Sequence, residues 1–146
     1  MKATESEIKK LIDSYFFKEE QYPDWMATIV PVLKKIGKIR ICIKYHDLNV
    51  TCPKDEFPLP VTYVMIDNTC DFKRMSIMDG FSRYNQIKMY PEDEKHTSFR
   101  TPLGVYCYTV MPFALKNAGA TYQCTMNAIF HEHICKTVEC SLTISL

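Results

Sequence analysis

The stretch "RMSIMDGFSRYNQIKM", residues 74–89, sets one carboxylate, Asp79, at the end of a short apolar run and directly before Gly80. Met75, Ile77 and Met78 read as a buried strand. "NQIKM" reads as a second strand, with a tight turn between the two. A strand terminus is a rigid platform, and a carboxylate there can ligate Mg²⁺, a hard cation that prefers oxygen. Phosphoryl transfer needs at least two such acids to hold its metals against the substrate phosphates. A turn-starting Asp before glycine is the plainer alternative.

Outward from this stretch the chain alternates hairpins and helices. Residues 4–17 are predicted helical, with Thr4 and Glu7 as a capping box and Ile8, Leu11, Ile12 and Tyr15 on one face. "MATIVPVLKKIGKIRICIKY", residues 26–45, reads as two strands around a turn in which Gly37 takes positive φ, with Pro31 marking an edge or a bulge. Residues 46–60 read as loop because Pro53, Pro58 and Pro60 block regular pairing. A short helix is expected over 61–69 and a helical turn over 91–94. "TSFRT" and "VYCYTV" form a second hairpin, and 117–134 a helix with Ala118, Tyr122, Met126, Ile129 and Phe130 on one face. "CKTVECSLTISL" has strand propensity. Strands in hairpins with helices inserted among them indicate an α+β fold.

Bulk properties narrow the function classes. A chain of 146 residues is one domain or a piece of one, and its formal charge of +1 gives no overall signature of nucleic-acid binding. Seven cysteines, odd in number and without a CxxC pair, read as reduced thiols of an intracellular protein. No apolar run approaches membrane-spanning length. Local charge is more informative. Lys34, Lys35, Lys38, Arg40 and Lys44 crowd the first hairpin, with no acid between Met26 and His46. Such a field can hold phosphates, although a solvated charged turn gives the same pattern. His131 and His133 in "HEHIC" sit two apart, which points them some 200° apart on a helix and away from a shared zinc. Tyr84, Tyr90, Phe99, Tyr106, Tyr108, Phe113 and Tyr122 could stack on bases, and alternation along strands assigns most of them to a core.

Taken together, "IVPVLKKIGKIRICIKYHDLN", "CPKDEFPLP", "MDGFSRYNQIKMYPEDEKHTSF", "YCYTVMPFALKNAGATYQ" and "CKTVE" resemble the fingers and palm of a reverse transcriptase from a gypsy-type long-terminal-repeat retrotransposon. The resemblance implies a partial right-hand polymerase fold: a fingers hairpin plus an incomplete palm with antiparallel sheet and packing helices. It places a lead-in over 1–25, mainly fingers over 26–72, palm over 73–89, a return to the fingers over 90–118, and a palm helix and altered tail over 119–146. It implies Asp79 as the first catalytic, metal-binding acid. Arg40 and Lys34 or Lys35 would meet the incoming nucleotide's phosphates, and Tyr84 would be the steric gate beneath the ribose. Phe113 falls in the nucleotide pocket, and Gln123 beside template and primer. Mg²⁺, a deoxynucleoside triphosphate and an RNA or DNA template–primer are the implied cofactor and partners, with no membrane.

The departures carry equal weight. Arg83 stands where the pattern "SGY" has glycine, Ala114 where "PFGL" has glycine, and Lys44 and His46 where "VDYRDLN" has Asp and Arg. The second acidic motif, Y/F-x-D-D, should follow "KTVE". Residues 140–146 read "CSLTISL", with Thr143 and Ile144 at the paired-Asp positions. A family-like codon string, GAA GTG TTC ATT GAC GAT ATC CTT GTG A, gives this tail and then a stop when one G after GAA is removed. The expectation is therefore a copy whose second motif was lost to a frameshift, truncated and inactive in templated synthesis. The alternatives are a weak nucleic-acid-binding module and a non-functional product with an exposed core.

Overall fold

The computed structural model describes residues 2–33, 37 and 39–140. The chain divides into two compact units, Met1–Pro53 with Tyr84–Lys116, and Lys54–Arg83 with Asn117–Leu146.

The first unit begins with helix α1, Lys2–Asp13. The helix ends four residues before the sequence pattern suggests because Tyr15 takes a left-handed φ of 58°. Phe16 N–H then reaches Leu11 O at 3.1 Å and Tyr15 N–H reaches Ile12 O at 2.9 Å, the paired bonds of a Schellman cap. Phe17 leaves that cap as the start of strand β1, Phe17–Glu19. The side chains of Thr4 and Glu7, the expected capping box, lie outside the described residues.

The basic hairpin forms as the alternation predicts. Strands β2, Ala27–Leu33, and β3, Ile39–Lys44, pair antiparallel from Thr28↔Lys44 to Leu33↔Ile39. Gly37 takes the positive φ of 75° that the turn requires. Among the described residues, strand β2 pairs on its other side only at Ala27 and Thr28, with Phe99 and Arg100, so at Pro31 that side is an edge, where proline is tolerated. That pairing is parallel, which the hairpin pattern did not suggest. Strands β4, Phe99–Thr101, and β5, Gly104–Tyr108, form the second expected hairpin, and β1 closes on β5 to give the order β1-β5-β4-β2-β3.

Phe17, Ile43, Tyr45 and Phe99 are the buried centre, with α1 contributing Leu11 and Ile12. Phe17 meets Phe99 and Tyr108 edge-on, at ring separations of 4.9 and 4.6 Å. The Tyr45 hydroxyl, carried into the core, donates to Thr97 O at 3.0 Å. Residues 46–51, read from sequence as loop, instead form helix α2, His46–Thr51. The proline signals act only from Pro53 onward, and residues 53–61 carry no regular structure. The helical turn expected near residue 91 appears as a 3₁₀ turn, Glu94–Thr97.

The second unit holds helices α3, Thr62–Cys70, and α4, Ala118–Ile129. Helix α4 is shorter than its apolar pattern. It buries Ala118 and Gln123, while Ile129, expected on the inner face, is exposed. "RMSIMD" does not form the buried strand expected of it. Residues 74–80 have no regular structure, and Met75, Ile77 and Met78 are exposed. A strand exists only through partners for its backbone groups, and no described segment pairs with this one. "NQIKM" contributes a single bridge, Lys88↔Val110, after a 3₁₀ turn at Arg83–Gln86. All seven cysteines are free thiols. No helix among the described residues is long and apolar enough to cross a membrane.

Candidate active site

Asp79 ends the extended stretch with its side chain 77% exposed. Gly80 follows, and a Cβ there would lie 2.8 Å from the Tyr122 hydroxyl of α4, so the missing side chain leaves room for that hydroxyl against the backbone. The turn closes through Arg83 N–H to Gly80 O at 3.3 Å. Ser82 and Arg83 adopt φ of 57° and 28°, the left-handed region that side chains disfavour. Within this turn the Arg83 guanidinium swings back onto Asp79, its Nη2 2.6 Å and its Nε 3.0 Å from Oδ1. The two residues are four apart, a spacing of opposite charges visible in the sequence but not read there as a pair.

Tyr84 and Phe113, both assigned to a nucleotide pocket by resemblance, do come together. Their rings meet edge-on at 5.0 Å in the first unit. Phe113 is brought there by a loop tied down through Asn49 of α2. The Asn49 side-chain amide donates to Ala114 O at 2.7 Å, and its carbonyl accepts from Lys116 N–H at 2.8 Å. Asn49 was not singled out from the sequence, where only its place at the end of "YHDLN" marks it. Ala114, at a position where the resemblance has glycine, holds a φ of 75°.

The remaining residues are less informative. Arg40 lies on β3 opposite Val32, and its side chain is outside the described residues, as are Lys34 and Lys35. Gln123 is 1% exposed. Its amide nitrogen donates to Asn127 Oδ1 at 3.0 Å and to Cys140 O at 3.2 Å, and its Oε1 has no partner among the described residues. His131 and His133 are exposed beyond the end of α4.

The donor set does not fit a divalent metal. Mg²⁺ asks for near-octahedral oxygen ligation, commonly through more than one carboxylate. Asp79 Oδ1 is held by a guanidinium, and among the described residues no three His, Cys, Asp or Glu side chains converge. Thr143 and Ile144 lie outside the described residues.

Comparison with known proteins bears on this arrangement. The profile of the family described as reverse transcriptase (RNA-dependent DNA polymerase) matches residues 32–144. The chain is 29% identical over 129 residues to the retrovirus-related Pol polyprotein from transposon 297 of Drosophila melanogaster, covering 86% of this chain and 12% of that protein. It is 29% identical over 132 residues to the transposon Tf2-3 polyprotein of Schizosaccharomyces pombe, covering 90% and 10%. The putative enzymatic polyprotein of cassava vein mosaic virus is 31% identical over 100 residues, covering 68% and 15%. The chain thus spans only 10% to 15% of the length of these relatives. Among solved structures, the foamy viral protease–reverse transcriptase dRH in complex with double-stranded DNA matches with a TM-score of 0.71 at 18% identity, over 88% of this chain and 23% of that one. The native prototype foamy virus protease–reverse transcriptase matches at 0.66 and 21% identity, over 86% and 17%.

Proposed function

The chain belongs to the reverse transcriptase family, with the right-hand α+β polymerase fold, and from that premise we propose that it is a gypsy-type fingers-and-palm segment that does not polymerise by itself. In this reading 26–72 and 90–118 are chiefly fingers, and 73–89 and 119–146 chiefly palm. Lys34, Lys35 and Arg40 face phosphates, and Tyr84 with Phe113 form the apolar side of a nucleotide pocket. Gln123, buried, enters as a positioning group that holds the Cys140 carbonyl next to the altered tail.

One observation carries the inactive reading: the surviving acid, Asp79, is engaged by Arg83, and residues 140–146 supply no Asp or Glu where the family pattern asks for two. The test is primer extension on an RNA template with a DNA primer and Mg²⁺. The chain as it stands is expected to add no nucleotide, and extension by it would overturn the proposal. A version with the reading frame restored after Glu139 is expected to carry the paired acids. Sequencing the locus checks the frameshift directly, since it requires a shifted frame that encodes Asp-Asp.

A second reading, binding without catalysis, is favoured by the five cations of the hairpin. A foamy viral protease–reverse transcriptase of this fold has been solved in complex with double-stranded DNA. Three or four phosphate contacts would give a log–log salt slope of about −3 to −4 on duplex, and Lys35→Glu or Arg40→Glu would each flatten it by about 1. A salt-independent affinity would count against this reading.

A further inference from the structure

We infer that Arg83 is a built-in cation that takes the place of a metal at Asp79, so that this turn is an internally neutralised site. The inference rests on the assignment of Asp79 as the family's first acid. Two independent features support it. The first is the geometry: both Nε and Nη2 of Arg83 aim at one carboxylate oxygen, at 3.0 and 2.6 Å. A guanidinium is always charged and presents its donors as a rigid fork. A divalent ion approaching that oxygen must displace the fork and meets a positive charge a few ångströms away.

The second feature is the backbone. Arg83 keeps a φ of 28° beside Ser82 at 57°, a conformation that suits the glycine the family pattern has there. The turn thus holds the left-handed backbone that glycine adopts readily, and within it the Arg83 guanidinium lies on Asp79. Losing the paired acids and gaining Arg83 are then separate lesions. Restoring Asp at 143 and 144 would leave the first acid still occupied by its neighbour.

The test is a Mn²⁺ titration followed by electron paramagnetic resonance, on the full chain, without nucleotide or nucleic acid. Arg83→Gly is expected to bind Mn²⁺ about fivefold or more tightly than the unmodified chain, from loss of the adjacent positive charge. The gain is expected to vanish in Arg83→Gly/Asp79→Asn. Equal affinities of the unmodified and Arg83→Gly chains would overturn the inference, as would a gain that survives Asp79→Asn. Arg83→Gln, which removes charge and keeps a side chain at positive φ, is expected to reproduce most of the gain. No gain in that variant would assign the effect to backbone relief and overturn the inference. Failure of the polymerase assignment shows separately. A frame-restored Arg83→Gly chain that binds Mn²⁺ through Asp79 and extends no primer would refute that assignment while upholding the role of Arg83.

Discussion

The two compact units bury their apolar residues very differently. In the first, Ile8, Phe99 and Cys107 are fully buried, and Phe17, Ile43 and Tyr45 cluster with Phe99, with Leu11 and Ile12 of α1 packed against them. In the second, Tyr63, Val64 and Ile66 of α3 are exposed, as are Phe72, Met75 and Ile77, and Met78 and Phe81 are each 87% exposed. Composition does not explain this, since both segments are rich in large apolar side chains. The difference lies in partners. The first unit has a five-stranded sheet with a helix against it, whereas the described residues of the second form two helices and an extended stretch without a ladder. Among the described residues nothing covers these apolar groups.

The largest test of this contrast is Phe99→Ala. Removing a fully buried ring that meets Phe17 and Tyr108 should cost about 3–5 kcal/mol, read as a collapse of the urea midpoint. An effect below ~1 kcal/mol would mean that the first unit is no better packed than the second. Thiol chemistry sharpens the same contrast. Burial pushes the Cys107 thiol up to about 11 from its ordinary 9.0. Folding therefore favours the neutral form, and the stability it contributes is whole below pH 9 and is lost as pH rises toward 11. At pH about 8, iodoacetamide should label Cys70, Cys124 and Cys135 quickly and Cys107 only on unfolding, as read by mass spectrometry. Tyr45→Phe leaves the Thr97 carbonyl without its buried donor and should cost about 1–2 kcal/mol.

Smaller effects follow from backbone strain and from the exposed stretch. Ala114→Gly should stabilise the first unit by about 1 kcal/mol, because glycine holds a φ of 75° without a Cβ clash. Destabilisation on this change would show that the loop has relaxed to a conformation suited to alanine. Met78→Asp and Phe81→Asp should each move stability by less than ~0.5 kcal/mol and reduce light scattering on concentration. A larger loss would reveal that these side chains are covered after all.

What the sequence could and could not disclose follows the same division. The hairpins of residues 27–44 and 99–108 were legible because alternation, Gly37 and the Pro102–Gly104 turn encode them locally. Helix α2 was missed because prolines after Cys52 were allowed to govern residues before it. The apolar run of 74–79 looked like a buried strand, yet a strand needs a hydrogen-bonding neighbour, which no local window contains. Asp79 was legible as a candidate. Its engagement by Arg83 depends on the left-handed turn between them, which the sequence alone did not specify.

The interleaved strand order has a consequence for how quickly the molecule assembles. Pairing Phe17 with Tyr108 closes a loop of roughly ninety residues, and joining Ala27 to Phe99 closes one of roughly seventy, so chain entropy opposes both until late contacts reward them. During synthesis, α1 and the first hairpin would leave the ribosome long before their sheet neighbours exist. The early part of the nascent chain must therefore wait, incompletely covered and open to proteases, for strands translated about seventy residues or more later.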